Sequence, residues 1–587
     1  MKTLTKTIFI LTLALSMAAS ALTTALAQGW PQWGLNPQHT GQINVSGQNL
    51  NQNIADITYD STAQIEMLIG NLLVGEPALL VHYQVPLIDG NNVYMEFKSG
   101  SPSLFTFSSW NWAENKLSWQ NGALVQEWSF PSDWKPPGNY LEFWQPVFHP
   151  VLANDALYVP GAGGTIFRVN KTTGDLVMRI NPFEDFDTNT YTVGPISADS
   201  SGNLFYNAIK LQPGSSFYRF DSVDSWLVKV APDNSTTKVS YSVLTPGAPG
   251  PNDPCETTFA NSQLPWPPSP TAVPPAVRCG PMRVALNVAP AIAPDGTIYS
   301  VTRSHTRAAD RSAYLVAVNP DLSPKWAASL DHRFNDGCGV PISNGGVLPP
   351  NGQPGGCREG ANFGVDPAVN HAGGGRVRDD SSASPTVAPD GSVLFGTFTR
   401  YNYSQGHLMR FAASGAYLGA YRFGWDLSPG IARHGNTFSI VIKDNQYAIG
   451  SYCNVAAFCP PARTVENSAG YPEGYFITQL NHNLKVEWRY QNTNTFSCTR
   501  QSDGSLSCVD DHPNSFEWCV NALTIDAKRV IYANSEDGNL YALNPDGTLK
   551  QKIFQQLALA AAYTPASIGP DGKIYSQNAG RLFVVGK

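Results

Sequence analysis

The stretch VAPAIAPDGTIY, at residues 288–299, recurs with small changes as SPTVAPDGSVLF at residues 384–395 and as PASIGPDGKIY at residues 565–575. Each copy is a short apolar run, a Pro-Asp-Gly turn, and a second apolar run that ends in an aromatic residue. Proline presets the backbone of such a turn, aspartate bonds to its own backbone, and glycine accepts a positive φ. The three stretches therefore predict β-hairpins, and their carboxylates are interpreted as turn formers rather than calcium ligands.

Weaker copies of this hairpin bring the count to eight units, the others lying at residues 85–95, 146–159, 193–207, 438–449 and 521–533. A second hairpin follows the first, most clearly in NLYALNPDGTL at residues 539–549. Four short strands per repeat are typical of a propeller blade. We therefore predict an all-β fold, a single β-propeller of four-stranded antiparallel blades with eight blades, or with seven as the alternative.

The first 27 residues have the pattern of a secretory signal peptide. Lys2 and Lys6 precede an apolar stretch at residues 8–19, and Ala25-Leu26-Ala27 is a small-x-small cleavage site. The predicted mature chain, residues 28–587, is exported to the periplasm or the extracellular space. No later apolar stretch is long enough to predict a membrane span.

The last repeat unit ends one strand short, at residues 582–585. We expect an N-terminal segment of the mature chain, residues 28–75, to help close the ring, with residues 64–73 supplying the missing outer strand. Pairing of the two chain ends would remove exposed strand edges.

The charge of the chain argues against nucleic acid as a partner. The formal net charge is −7, and removal of Lys2 and Lys6 with the signal peptide leaves about −9. Binding to a phosphate backbone requires clustered Lys and Arg. The expected partner is therefore a protein or a polar, sugar-like ligand.

The nine cysteines all lie in the exported part of the chain, where disulfides form. Eight of them fall in pairs inside four long insertions, residues 246–286, 331–382, 452–474 and 491–516. We predict Cys255–Cys279, Cys338–Cys357, Cys453–Cys459 and Cys498–Cys508, with Cys519 free; the rival pairing is Cys508–Cys519 with Cys498 free. No pair has CxxC spacing, which argues against a zinc site, and we assign no metal ligands.

Two stretches carry a resemblance to a known family: VIYANSEDGNLYAL at residues 530–543, and WPQWG with NPQHTG at residues 30–41. They resemble the repeat and the opening of pyrroloquinoline-quinone (PQQ) type propellers. That family includes quinone-dependent dehydrogenases and non-catalytic propellers, so the resemblance implies PQQ and Ca²⁺ as candidate cofactors. The adjacent cysteine pair of many enzymatic members is absent, and no Glu, Asn and Asp calcium set is recognisable. Trp326 and Trp488 match the tryptophan that closes a blade.

Strand direction predicts where a ligand would bind. The four strands of a blade alternate in direction, so the tight turns share one face of the ring and the long insertions share the other. We call the face with the long insertions the decorated face. The candidate ligand contacts are the residues that lead into the inner strands on that face: Arg376, Arg378, Asp379, Asp380, Glu517, Trp518, Trp144 and His434. The alternative is that these charges pair with one another at a solvated rim.

These observations favour a binding or scaffold module that acts through its decorated face. The alternative is a PQQ- and Ca²⁺-dependent periplasmic oxidoreductase acting on alcohols or sugars. Fold cannot decide between them, because function lies in the site. No catalytic residue is assigned.

Overall fold

The protein was analysed as a computed structural model, which describes residues 29–65, 68, 84–101, 109–136, 147–214, 222–306, 310–340, 356–378, 381, 383–401, 404–424, 427–446, 474–518, 520–558 and 565–587. Several predictions fall outside the described residues: the signal peptide, Trp144, Asp379, Asp380, Cys519 and the pair Cys453–Cys459.

The described residues form a ring of eight four-stranded antiparallel blades, which confirms the predicted fold class. The strands are, in chain order, β1 (Gln52–Thr58), β2 (Leu87–Asp89), β3 (Asn92–Gly100), β4 (Trp110–Gln120), β5 (Ala123–Ser132), β6 (Val151–Ala153), β7 (Ala156–Pro160), β8 (Ile166–Asn170), β9 (Leu176–Ile180), β10 (Thr190–Ala198), β11 (Leu204–Leu211), β12 (Ser222–Val230), β13 (Thr236–Ser240), β14 (Pro254–Glu256), β15 (Ala276–Arg278), β16 (Met282–Val284), β17 (Ala291–Ile292), β18 (Ile298–Ser304), β19 (Ala313–Val318), β20 (Pro324–Ser329), β21 (Val365–Asp366), β22 (His371–Ala372), β23 (Thr386–Val387), β24 (Val393–Tyr401), β25 (Ser404–Phe411), β26 (Tyr417–Phe423), β27 (Gly430–His434), β28 (Thr437–Gln446), β29 (Gly474–Asn481), β30 (Val486–Gln491), β31 (Phe496–Arg500), β32 (Leu506–Asp510), β33 (Thr524–Ile525), β34 (Ile531–Asn534), β35 (Asn539–Leu543), β36 (Leu549–Phe554), β37 (Ser567–Ile568), β38 (Ile574–Asn578) and β39 (Arg581–Gly586). A four-residue helix, α1 (Tyr241–Leu244), follows β13.

Each blade runs from an inner strand at the channel to an outer strand at the rim. The blades are, in order, β2–β5, β6–β9, β10–β13, β17–β20, β23–β26, β27–β30, β33–β36, and β37–β39 with β1. In blade 4, β16 also pairs with β18. Apolar clusters fill the spaces between neighbouring blades, so the core is a ring of blade-to-blade interfaces.

The chain ends close the ring, but through a different segment from the one predicted. β1 pairs antiparallel with β39 as the outer strand of blade 8, and Arg581 Nε donates to Asp56 Oδ1 at 2.6 Å. The prediction that residues 64–73 form this strand is therefore wrong. Residues 52–58 show no clear alternation of polar and apolar side chains, because both faces of this outer strand are only partly buried.

The N-terminal segment, residues 30–48, contacts the blades one after another along the channel. Backbone groups of this segment exchange hydrogen bonds with backbone groups at inner strands or their turns in seven blades: Ile88, Leu152, Ile292, Val387, Ile431, Ile525 and Gly572. In the remaining blade, the side chain of Gln32 bonds to the backbone of Ala198 at 2.7 and 3.2 Å. Trp30, Trp33 and Leu35 are buried within the ring. The segment therefore occupies the channel near the short-turn face.

Three outer strands carry a tryptophan that bonds to the next blade. The indole bonds run from Trp128 to the carbonyl oxygen of Thr172 at 3.2 Å, from Trp326 to Ala413 at 2.9 Å, and from Trp488 to Pro545 at 2.9 Å. Each ring lies on a positive-φ glycine of that turn, where a Cβ would come within 2.8 Å of it: Gly174, Gly415 and Gly547. These contacts repeat at equivalent places in blades 1, 4 and 6, so they help to fix the position of each of these blades relative to the next.

The tight turns and the insertions occupy opposite faces, as strand direction predicts. Insertions 246–286, 331–382 and 491–516 each connect an outer strand to a later inner strand. His434, however, is the last residue of inner strand β27, so it lies on the short-turn side, where Ser439 Oγ is 2.9 Å from its Nε2. Its expected place at the entry to that strand is wrong. In the part of the chain that is described, no helix is both long and apolar enough to cross a bilayer.

Candidate functional site

The two insertions before blades 4 and 5 pack together into one unit. We call the described residues of insertions 246–286 and 331–382 the cap. It has a small core of its own, formed by Phe259, Leu264, Trp266 and Ala368. The backbone N–H of Phe259 donates to the Ala368 carbonyl at 3.0 Å, joining the two insertions directly.

Polar side chains add further bonds between the two insertions. Nδ2 of Asn370 reaches the carbonyl oxygens of Ser269, Pro270 and Ala272 at 3.3, 3.1 and 2.9 Å. Arg358 donates to the carbonyls of Pro267 and Gln263, each at 3.0 Å. These bonds hold the proline-rich segment at residues 265–275 in place as one wall of the cap.

Three of the predicted disulfides are present. Cys255–Cys279 and Cys338–Cys357 each close a loop of one insertion of the cap, and Cys498–Cys508 joins β31 to β32. The presence of Cys498–Cys508 excludes the rival pairing of Cys508 with Cys519.

Removal of Cys255–Cys279 by a double serine substitution is expected to destabilise the cap selectively. A bond that closes a loop of 24 residues contributes roughly 3 kcal/mol by restricting the unfolded chain. Hydrogen exchange should show lost protection in the cap, with the strands of blades 1, 7 and 8 unchanged. The control is the double substitution of Cys498 and Cys508, whose hairpin lies outside the cap; equal loss of cap protection in both variants would contradict this assignment.

Arg376 and Arg378 lie where the cap meets blades 4 and 5. Arg376 forms a two-point ion pair with Asp310, at 2.9 and 2.7 Å, and its guanidinium lies 5.5 Å from the Phe398 ring. The guanidinium of Arg378 lies 5.1 Å from the same ring. Arg376 therefore already binds a protein carboxylate, and its partner Asp310 is not one of the candidate ligand contacts.

The second predicted wall, at Glu517 and Trp518, differs from the expectation. Trp518 is fully buried, and its indole N–H donates to the Tyr475 carbonyl at 3.0 Å. It packs edge-on against Tyr541, so it cannot serve as an exposed aromatic platform. Glu517 is half-buried, and Asn445 Nδ2 lies 3.5 Å from its carboxylate. Sequence order placed Trp518 at the channel mouth, but the apolar contacts of blades 6 and 7 enclose it.

A pocket of about 660 Å³ opens at the rim between the cap and blades 5 and 6. We call it the rim pocket. Its lining combines aromatic and charged side chains with a few apolar ones, and consists of Phe334, Asn335, Asp336, His407, Tyr417, Ala420, Tyr421, Arg422, Leu484, Lys485, Val486 and Arg489. The insertion that begins at residue 331 supplies one wall, and outer strands β26 and β30 supply the other two.

Asp336 organises the wall on the cap side. Its carboxylate lies 2.8 Å from Nε2 of His407 and 3.6 Å from Nε of Arg422. His407 is held from behind by Thr399, whose hydroxyl is 2.9 Å from Nδ1, and its ring stacks on Phe334. His407 and Thr399 are both fully buried, so this acid–imidazole–hydroxyl series positions the wall and offers no accessible nucleophile.

A second carboxylate, Asp444, lies behind the opposite wall. Arg489 approaches it at 3.4 Å, and the hydroxyls of Tyr421 and Thr478 donate to it at 2.8 Å. Burial raises the pKa of Asp444, an effect opposed by the charge of Arg489. On the pocket side, burial and then Asp336 raise the pKa of Tyr417 to about 12, so its hydroxyl is a neutral hydrogen-bonding group at physiological pH.

The rim pocket carries an excess of positive charge. The lining holds three cations, Arg422, Lys485 and Arg489, and one carboxylate, Asp336. Asp444, behind the wall, pairs with Arg489, so the excess is one positive charge. Nη1 of Arg422 is buried and has no hydrogen-bond partner within the described ranges. A buried guanidinium N–H without a partner is costly, so this group favours an acceptor, which reaches it once a lining side chain shifts. The sequence pattern did not single out the residues of this pocket, because charged and aromatic side chains are common on any exposed strand.

Comparison with known proteins finds similarity in solved structures. No family model matches the chain, and no curated protein matches it. Similar solved structures include a europium-containing methanol dehydrogenase (11% identity, 94% of this chain and 90% of that chain, TM-score 0.47). They also include BamB from Moraxella catarrhalis (9%, 91% and 99%, TM-score 0.39) and the quinohemoprotein alcohol dehydrogenase ADHIIG from Pseudomonas putida HK5 (11%, 96% and 76%, TM-score 0.47).

Proposed function

We propose that this protein is an exported binding module that takes a polar ligand with an anionic group, such as an acidic sugar, in the rim pocket. The observation that carries the proposal is the buried, unpartnered Nη1 of Arg422 beside the tyrosines and cations of that pocket, in the part of the chain that is described. Guanidinium groups bind carboxylates and phosphates through paired N–H donors. The rings of Tyr417 and Tyr421 add flat surfaces that suit a sugar ring, and Tyr417 adds a hydroxyl, whereas the Tyr421 hydroxyl already donates to Asp444.

The rigidity of the cap also supports a binding role. Two disulfides close loops of the cap, and the cap has an apolar core of its own. The pocket wall at Phe334 and Asp336 is therefore part of an ordered structure. A preorganised wall reduces the entropy lost when a ligand binds. Disulfides of this kind are also characteristic of exported proteins.

The quinoprotein alternative rests on the repeat resemblance alone. It would place PQQ and Ca²⁺ in the channel. Among the described residues, the cluster of His, Cys, Asp or Glu close enough to share an ion contains two imidazoles and lies in the cap. Ca²⁺ prefers oxygen ligands, so this cluster does not fit it, and we derive no reaction step through the quinone.

Replacing Arg422 with alanine is expected to weaken binding of D-glucuronate by at least about tenfold, since a charge-assisted bond contributes ~1.5–3 kcal/mol. Calorimetry with glucuronate, glucose and inorganic phosphate would show whether the carboxylate on a sugar is what is recognised. The matched control is Arg433→Ala, which removes an exposed arginine from β27.

Three results would contradict the proposal: glucose bound as tightly as glucuronate, equal loss in the Arg433 and Arg422 variants, or no heat with any acidic probe. Dye reduction with alcohols or sugars after addition of PQQ and Ca²⁺, without glucuronate binding, would favour the oxidoreductase.

A further inference from the structure

A group of metal-binding side chains lies in the cap, apart from the rim pocket. Asp331 and His332 directly follow outer strand β20, and His371 begins β22. One possible ligand atom from each of the three lies within 4.8 Å of the other two. The rings of His332 and His371 stack with centroids 4.0 Å apart. Residues 40 positions apart in one insertion are thus brought to a single point.

A fourth side chain, from the other insertion, lies against His371 and outside the group of three. Oε1 of Glu256, on β14, lies 2.5 Å from Nε2 of His371. Nδ1 of the same ring lies 2.8 Å from the Ala372 carbonyl, which can only accept a hydrogen bond. Nδ1 therefore carries a proton, and a second proton joins Nε2 to Glu256; loss of that second proton leaves a lone pair at Nε2. A cation bound by Nε2 and Oε1 would replace this proton, and the two atoms would move to about 3.3 Å apart, because zinc ligand distances are about 2.0–2.2 Å in a tetrahedral site.

Surrounding contacts orient the remaining ligands. The backbone N–H of His332 donates to Oδ1 of Asp331 at 2.9 Å, while Oδ2 lies 3.9 Å from Nε2 of His332. Gly374 packs against this carboxylate, and a Cβ there would come within 2.3 Å of Oδ1. The His332 side chain is 62% exposed, so it can turn toward an ion without displacing packed neighbours. The site is open to solvent on one side and fixed on the other.

We propose that Asp331, His332, His371 and Glu256 bind one divalent transition-metal ion of the zinc class. Two imidazoles and two carboxylates form a donor set that suits Zn²⁺, and Cu²⁺ or Ni²⁺ by the same ligand preference, whereas Ca²⁺ and Mg²⁺ select oxygen ligands alone. Because Glu256 comes from one insertion and the other three ligands from the second, the ion cross-links the two halves of the cap. Nη1 of Arg311 pairs with Oδ2 of Asp366 at 2.6 Å. This ion pair limits the repulsion between the Arg311 guanidinium and an ion near Asp331.

The test uses the mature chain, stripped with a chelator and with any purification tag removed. Titration calorimetry with ZnCl₂ is expected to show one equivalent bound, with CaCl₂ giving no comparable heat. His371→Ala and Asp331→Asn should each weaken Zn²⁺ binding by at least about tenfold, and Glu256→Gln by a similar factor. Co²⁺ should give the intense visible absorption of a four-coordinate site, which ions scattered over surface carboxylates would not produce.

The matched control is His482→Ala, which removes an exposed histidine from a turn of blade 6. Should His371→Ala disturb folding by circular dichroism, His332→Ala replaces it, because that side chain is mostly exposed. Unchanged Zn²⁺ affinity in the His332 variant, an equal loss in the His482 variant, or Ca²⁺ bound as tightly as Zn²⁺ would overturn the proposal. Failure of glucuronate binding would leave it unaffected, since the rim pocket shares none of these four ligands.

Discussion

A chain that begins at residue 59 is expected not to form a stable ring. It lacks β1, the outer strand of blade 8, so β39 loses its outer partner, and it lacks residues 30–48, which bond to inner strands around the channel. Each lost backbone bond contributes about 0.5–1.5 kcal/mol. Each large buried side chain, such as Trp30 or Leu35, contributes about 1.5–3 kcal/mol. Together these losses exceed the net stability of most domains.

Thermal unfolding by circular dichroism, with size-exclusion chromatography, measures the effect. The predicted mature chain, which begins at residue 28, is the control and sets the reference melting temperature. A chain that begins at residue 49 keeps β1 and loses only the channel segment, so it should fold with an intermediate melting temperature. Equal melting temperatures for all three chains would show that neither contact matters.

Replacing Glu114 with glutamine is expected to stabilise the protein at neutral and alkaline pH. Glu114, on β4, is fully buried between blades 1 and 2, and neither carboxylate oxygen has a hydrogen-bond partner among the residues described. Its neighbours across the sheet are Glu96 and Phe130. Burial, and then the charge of Glu96, raise the pKa of Glu114 well above its ordinary value of 4.5.

The direction of the pH dependence follows from proton binding. Between pH 4.5 and the raised pKa, the folded protein holds a proton that the unfolded chain has released. Stability is therefore greatest below that window and falls as pH rises through it, by at most about 1.4 kcal/mol per pH unit. A glutamine at this position binds no proton, so the stabilisation of the variant relative to the parent protein should grow with pH until the raised pKa of Glu114 is passed.

Urea unfolding at a series of pH values measures this effect. The control is Glu359→Gln, which changes an exposed glutamate in the cap and should leave the slope as it is. A Glu114→Gln variant with the same pH slope as the parent protein would show that the carboxyl is ionised in the folded state, which would require an ionic partner outside the described residues.

Part of this molecule was predictable because its causes are local. In the turn at residues 294–297, the Asp295 carboxylate accepts from the backbone N–H of Thr297 at 3.0 Å, an interaction two residues long that is present before any tertiary contact forms. The pairings Cys255–Cys279, Cys338–Cys357 and Cys498–Cys508 span at most 24 residues within single insertions. Eight repeated hairpins of this kind determine a closed ring, since each must cover the apolar face of the next.

The sites were decided by tertiary structure, because their members are distant in sequence. Glu256 and His371 are 115 residues apart, and Asp336 and His407 are 71 apart. Only the packing of two insertions on each other and on blade 5 brings them within hydrogen-bonding distance. The same packing encloses Trp518, and pairing with β39 selects residues 52–58 over 64–73. Repeat patterns specify which strands form, whereas the position of a loop side chain depends on the free energy of contacts that no local pattern encodes.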